Sequence, residues 1–170
     1  MNNIIQKKGF SIIEIMVIIF ILSILSTIGL IAFGEVRKNA RDGVRVSDLD
    51  QIRLAVTASF ADDGLYPAVG GVICTNSACG VDVDPNLEIN QWVQRIVGRI
   101  ADPKHGETGF SYHYDPNLSC GGSTAVAVWA RTMESDTGPN VQSVRSSICQ
   151  GSMTHGELTN DSFIKIIRVN

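Results

Sequence analysis

Hydrophobic and polar positions divide this chain into stretches with different periods. Residues 15–34 are twenty consecutive positions without a charge. At about 1.5 Å per residue, such a helix crosses the roughly 30 Å hydrocarbon core of a bilayer, so the pattern predicts a membrane-spanning helix. From Glu35 onward charges return, yet Val36, Ala40, Val44, Leu49, Ile52, Val56 and Phe60 still recur at steps of three and four. That spacing predicts an amphipathic continuation of the same helix. The reading is one helix over residues 10–60, apolar in its first half and half-buried in its second. Gly29, Gly34 and Gly43 weaken it locally, each by roughly 1 kcal/mol against alanine, and any bend is expected at these glycines. Asp62-Asp63-Gly64 ends the helix and Leu65-Tyr66-Pro67 leads away, because glycine accepts the left-handed conformation and proline disfavours helix in the residue before it.

Further along, residues 68–90 are rich in Gly, Asn, Ser and Asp and read as a loop. Trp92, Val93, Ile96, Val97 and Ile100 recur at helical spacing and predict a second helix over 89–101, broken by Asp102-Pro103-Lys104-His105-Gly106. Phe110, Tyr112 and Tyr114 then alternate with polar residues as a first strand, and residues 124–131 form a second. Residues 162–169 form a third, with Phe163, Ile164, Ile166, Ile167 and Val169 too apolar to face water on both sides. Between the last two strands, residues 133–161 read as a polar loop. The tetrapeptide Asp84-Pro85-Asn86-Leu87 returns as Asp115-Pro116-Asn117-Leu118, which predicts two turns rather than a repeat fold. The sum is an α+β plan: a long helix whose second half packs on a small antiparallel sheet.

One position disobeys the pattern. Glu14 stands at the start of the apolar run, where a carboxylate costs on the order of 2.5 to 3.5 kcal/mol unless partnered. Cleavage after Gly9 would supply the partner by freeing a charged α-amino group on Phe10, four residues before Glu14. That amine could come from the same chain, or from a neighbouring copy packed alongside at a staggered height. Two plainer readings compete. Ala32-Phe33-Gly34 offers a small-x-small site whose cleavage would release a soluble protein, but a conventional signal has an apolar region of only about 7 to 15 residues. An ordinary single-pass anchor is the other. Both leave Glu14 unexplained.

Lys7, Lys8, Gly9, Phe10 and Glu14 ahead of an unbroken apolar helix resemble the prepilin leader of type IV pilins and type II secretion pseudopilins. The resemblance implies cutting between Gly9 and Phe10, N-methylation of Phe10 by a prepilin peptidase, and assembly into a helical fibre in which Glu14 meets a neighbour's N-terminal amine. The partners it implies are further copies of the chain, the peptidase, and an inner-membrane pilus or secretion platform. The string Arg41-Asp42-x-x-Arg45, then Asp48-Leu49-x-Gln51-Ile52, to Asp63-Gly64-Leu65-Tyr66-Pro67 also resembles the pilin helix-to-loop junction. The likeness is therefore close over residues 6–67 and holds beyond that only in plan. Many pilins carry a proline in the membrane half; this chain has none there. The domain reading is a leader at 1–9, an assembly helix at 10–34, its amphipathic continuation at 35–61, and an extracytoplasmic globular unit at 62–170.

Charge qualifies this picture. Arg37, Lys38, Arg41 and Arg45 follow the apolar run, and counting Lys and Arg alone would place the C-terminal part in the cytoplasm. The count is overruled because long domains translocate with little regard to charge and because the cysteines favour an oxidising compartment. Removing residues 1–9 takes away Lys7 and Lys8, so twelve basic residues face seventeen acidic ones and the formal charge moves from −3 to −5. An acidic chain is a poor default binder of nucleic acid, and none is expected as a partner. The Arg37, Lys38, Arg41, Arg45 and Arg53 cluster reads as a solvated face or as inter-subunit pairing.

Four cysteines, Cys74, Cys79, Cys120 and Cys149, allow three pairings. A local clip of Cys74 with Cys79 is feasible and leaves Cys120 with Cys149 to tie the C-terminal loop. The spacings do not match a zinc ribbon, and His105, His113 and His155 are scattered, so no metal site is expected. Asp82-x-Asp84-x-Asn86-x-Glu88 spaces four oxygen side chains at alternate positions, but Leu87 and Val93 stand where an EF-hand needs Gly and an acid. Calcium is bound near the sheet in major pseudopilins, yet no ligand set maps residue by residue onto this chain. A turn through Asp84-Pro85-Asn86 is the simpler reading, and no cofactor is expected. No nucleophile signature, phosphate loop or paired catalytic carboxylates occur. His113 reads as a solvent-facing strand residue, and Glu107, Asp115, Glu134 and Asp136 as surface charge. The chain is expected not to be an enzyme.

Overall fold

The computed structural model describes residues 9–75, 86–135, 148–149, 153–154, 158–159 and 162–169. They form α1 (Ile12–Asp63), β1 (Gly71–Ile73), α2 (Glu88–Ile96), β2 (Tyr112–Cys120), β3 (Ser123–Ala130), β4 (Met153–Thr154) and β5 (Phe163–Val169). The chain divides into two compact units between Arg37 and Lys38. In the first unit the large apolar side chains described between Ile12 and Val36 are 46% to 82% exposed. α1 is also the one helix among the described residues that is long and apolar enough to cross a membrane.

In the second unit the strands form an antiparallel sheet in the order β1-β2-β3-β5, with β4 also paired to β2. This is the long-helix-and-sheet, α+β arrangement that the sequence predicts. Leu49, Ile52, Ala55 and Val56 of α1 are fully buried. They pack with Ile89 and Val93 of α2 and with Tyr112, Tyr114, Val126 and Val128 of the sheet. The phenols that enter this core keep partners, Tyr112 on Asp48 at 2.7 Å and Tyr114 on the Pro67 carbonyl at 3.0 Å, because a buried hydroxyl without one is costly. Burial, reinforced by the hydrogen bond to Asp48, raises the Tyr112 phenol above its ordinary range.

Several elements differ from the sequence reading, each for a local reason. α2 ends at Ile96 rather than 101, because Gly98 takes φ +92° and its N–H reaches back to the Val93 carbonyl at 3.2 Å. The 68–90 loop contains β1. Asn90 ties that strand to α2, its side chain accepting from the Cys74 N–H at 3.0 Å and donating to the Val72 carbonyl at 3.2 Å. Asp115-Pro116-Asn117-Leu118 is no turn between elements but lies within β2, where a bulge between Asp115 and Leu118 absorbs the proline. β4 falls within the stretch read as loop. Asp84 and Pro85, the core of the other expected turn, lie outside the described residues.

The sheet is buried on both faces. Opposite the helices, Leu118, Cys120, Ala125, Ala127, Trp129 and Ile164 cluster with Cys149, and Leu158 packs against them. This cover overturns the solvent-facing reading of His113. It is 7% exposed, stacks on Trp129 with ring centroids 5.3 Å apart, and shares a 2.7 Å hydrogen bond with Ser111.

Candidate functional site

The N-terminal segment carries the residues that the sequence singles out. Gly9 and Phe10 precede the helix in non-helical, exposed backbone, and Phe10 is 79% exposed. Nothing lies within 4 Å of where a Gly9 Cβ would stand. α1 begins two residues after Phe10, and its first turn holds Glu14. The Ser11 N–H donates to the Glu14 carboxylate at 2.9 Å, and the Glu14 N–H to the Ser11 carbonyl at 3.1 Å. Ser11-x-x-Glu14 is thus half of a capping box, in which an acid at the third helical position satisfies the N–H of the cap residue. Hydropathy alone presents Glu14 only as an acid in want of a cation. The S-x-x-E string is the available signal for this second role. A carboxylate at a helix N-terminus also meets the positive end of the helix dipole.

A second constellation lies in the globular unit, and it corrects the solvated-face reading for Arg41 and Arg45, while Arg37, Lys38 and Arg53 are exposed as that reading has them. Arg45 is fully buried. Its Nε and Nη2 donate to Asp102 at 2.8 and 3.0 Å, and its Nη1 donates to Asp42 at 2.6 Å and to Glu134 at 3.0 Å. Arg41 forks onto both oxygens of Glu134, and Lys104 lies 3.7 Å from the same carboxylate. Asp42 further accepts from the Glu134 N–H at 3.0 Å and from the Ser135 N–H and hydroxyl at 2.7 and 2.6 Å. The Phe110 ring packs against the Arg45 and Lys104 cations at 4.8 and 4.6 Å. Glu134 is therefore no surface charge. Asp136 lies outside the described residues.

The charges follow from these contacts. Burial by itself would lower the Arg45 pKa, but the hydrogen bonds and charge of Asp102, with those of Asp42 and Glu134, outweigh it and hold the guanidinium charged. The hydrogen bonds from Arg41, opposed by burial and reinforced by Arg45, pull the Glu134 carboxyl down to about 2. Burial pushes Asp42 the other way, yet the Ser135 hydroxyl, the backbone N–H groups and Arg45 bring it below its ordinary value. Guanidinium and carboxylates here neutralise one another, and such an arrangement holds elements together rather than transferring protons.

Cys120 and Cys149 are joined by a disulfide. Cys74 is disulfide-bonded as well, and Cys79 lies outside the described residues. Asp82, Asp84 and His155 also lie outside them, while Glu88 opens α2. Among the described residues no group of three or more His, Cys, Asp or Glu could hold a metal ion.

Residues 5–30 match the family described as the prokaryotic N-terminal methylation motif. The chain therefore carries the prepilin-type leader of type IV pilins and pseudopilins, joined to a pilin-like α+β architecture. No curated protein and no solved structure matches the chain.

Proposed function

We propose that this chain is a structural subunit of a type IV pilus-like fibre. It is cut between Gly9 and Phe10 by a prepilin peptidase, methylated on the Phe10 amine, held as a single-pass inner-membrane protein with residues 35–170 outside, and then polymerised through its apolar helix. The observation that carries this reading is an exposed Gly9–Phe10 peptide set immediately before a helix of exposed apolar side chains with one carboxylate, Glu14, in its first turn. Such a surface needs a surrounding apolar medium. Lipid supplies it before assembly, and the helices of neighbouring copies supply it in a fibre.

A type II secretion pseudopilin is the second reading. It rests on the same leader and sheet, and the genes flanking this one separate the two: a retraction ATPase accompanies a pilus, a secretion cassette a pseudopilus. A DNA-capturing minor pilin is disfavoured by the mature formal charge of −5, obtained by removing Lys7 and Lys8 from a chain of −3. The decisive experiment is the N-terminal mass of the exported protein. A chain that begins at methylated Phe10 is expected, and one that begins after Gly34 would make the protein a released soluble product instead.

A further inference from the structure

Along α1 Arg41 is half-buried and bonded to Glu134, Asp42 is the first buried side chain, and Leu49 is the first fully buried apolar one. Between them Val46 is partly buried against the core, and the other holds on the helix are polar. Asp42 takes three donors from Glu134 and Ser135 at 2.6 to 3.0 Å, Arg45 grips Asp102 with two nitrogens at 2.8 and 3.0 Å, and Asp48 holds the Tyr112 hydroxyl at 2.7 Å. Asp102, Glu134 and Ser135 belong to no helix or strand. A helix held by apolar packing alone can slide or roll on its support, because burial has no preferred direction. A forked guanidinium–carboxylate pair allows neither movement.

We propose that Asp42 and Arg45 form a clamp that holds residues 42–48 of α1, about two helical turns, on the globular unit. With the clamp closed these turns are fixed to Asp102, Glu134 and Ser135. With it open only the Arg41–Glu134 pair, the packing of Val46 and the Asp48–Tyr112 hydrogen bond still hold them, and they loosen. The clamp also fixes the helix in rotation and register against Asp102 and against the chain leaving β3. This goes beyond the fibre reading and does not depend on it, since every group involved lies within the one compact unit.

The test is hydrogen exchange on the full chain in detergent micelles, read by segment. In the wild type, amides of 42–48 are expected to exchange at least tenfold more slowly than those of 36–40. Arg45→Met keeps an apolar stem and removes the guanidinium; it should speed 42–48 at least tenfold and leave 52–58 at the wild-type rate. Equal rates for 36–40 and 42–48 in the wild type, or no change in Arg45→Met, would overturn the clamp. Should Arg45→Met fail to fold, Asp42→Asn carries the test, because its amide oxygen still accepts from Glu134 and Ser135 while the charge facing Arg45 is gone. A several-fold acceleration confined to 42–48 supports the clamp. A uniform acceleration over 42–58 refutes it.

Discussion

The two halves of α1 are apolar for opposite reasons. Before Arg37 the apolar side chains surround the helix, and those described are 46% to 82% exposed. After Lys38 they occupy one face, where Leu49, Ile52 and Val56 are fully buried while Leu54, on the other face, is 68% exposed. A helix that is apolar all round needs a medium from outside the chain, whereas a one-faced helix needs a single wall, and here the sheet supplies it. The sharpest way to break this comparison is Glu14→Ala, which removes the charge that stands at the head of the uncharged run 15–34. Membrane anchoring and cleavage should survive, and incorporation into sheared fibres should be lost. Wild-type amounts of the variant in fibres would mean that the carboxylate has no part in assembly.

The second half depends on a wall that is itself held from behind, so its supports should be measurable as stability. Cys120 and Cys149 enclose a sequence separation of 29 residues, and closing a loop of that size contributes about 3 to 4 kcal/mol in the chain-entropy account. Replacing both with serine should lower the urea midpoint accordingly; an unchanged midpoint would mean that the bridge does not stabilise the unit.

Acid should act on the ion cluster, with an effect no larger than that of the disulfide. The Glu134 carboxyl is depressed from an ordinary 4.5 to about 2, so its contribution is complete above the ordinary value and is lost as pH falls from there toward 2. Asp42, also lowered, adds in the same direction. From Glu134 alone the loss is about 3 to 4 kcal/mol at most. Glu134→Gln should flatten the dependence of unfolding free energy on pH between about 5 and 2. A slope identical to that of the wild type would place the acid sensitivity elsewhere.

The same contrast explains what the sequence discloses. Periodicity marks α1 and its inward residues Leu49, Ile52 and Val56, alternation marks the start of β2, and apolar runs mark β3 and β5, because local pattern follows burial by a nearby wall. Val44 fits the helical period yet is exposed, since the inward stripe at that level is taken by Asp42 and Arg45. A buried cation cannot be recognised from pattern alone. Its partners Asp102 and Glu134 lie 57 and 89 residues further along, and nothing local distinguishes them from surface acids. His113 misleads for a related reason: its alternation with Tyr112 and Tyr114 is real, but the second face of the sheet has its own cover. At the leader, Glu14 stands out as an acid at the head of an apolar run, and Gly9 and Phe10 through the resemblance to a prepilin leader. The Ser11 cap is signalled by S-x-x-E, and the structure shows its hydrogen bond to Glu14.

The smallest test concerns how closely that second cover is applied. β2 and β3 are joined by Gly121 and Gly122, with φ of +59° and +87°, a two-residue hairpin turn in which both positions favour glycine. An alanine in the left-handed region costs roughly 1 to 2 kcal/mol at either site. The sites differ in what a Cβ would meet: at Gly121 it would lie 2.8 Å from the Cys149 carbonyl oxygen, whereas at Gly122 nothing lies within 4 Å. Gly121→Ala should therefore destabilise the unit more than Gly122→Ala, by about 1 kcal/mol for the displaced carbonyl. In a Cys120→Ser, Cys149→Ser background the chain around Cys149 is no longer held against the turn, and the excess should vanish in a double-mutant cycle. If it persists there, the approach of that carbonyl is fixed by the turn's own packing and owes nothing to the disulfide. If the two alanine variants are equal from the outset, the cover rests on the sheet less closely than the 2.8 Å approach requires.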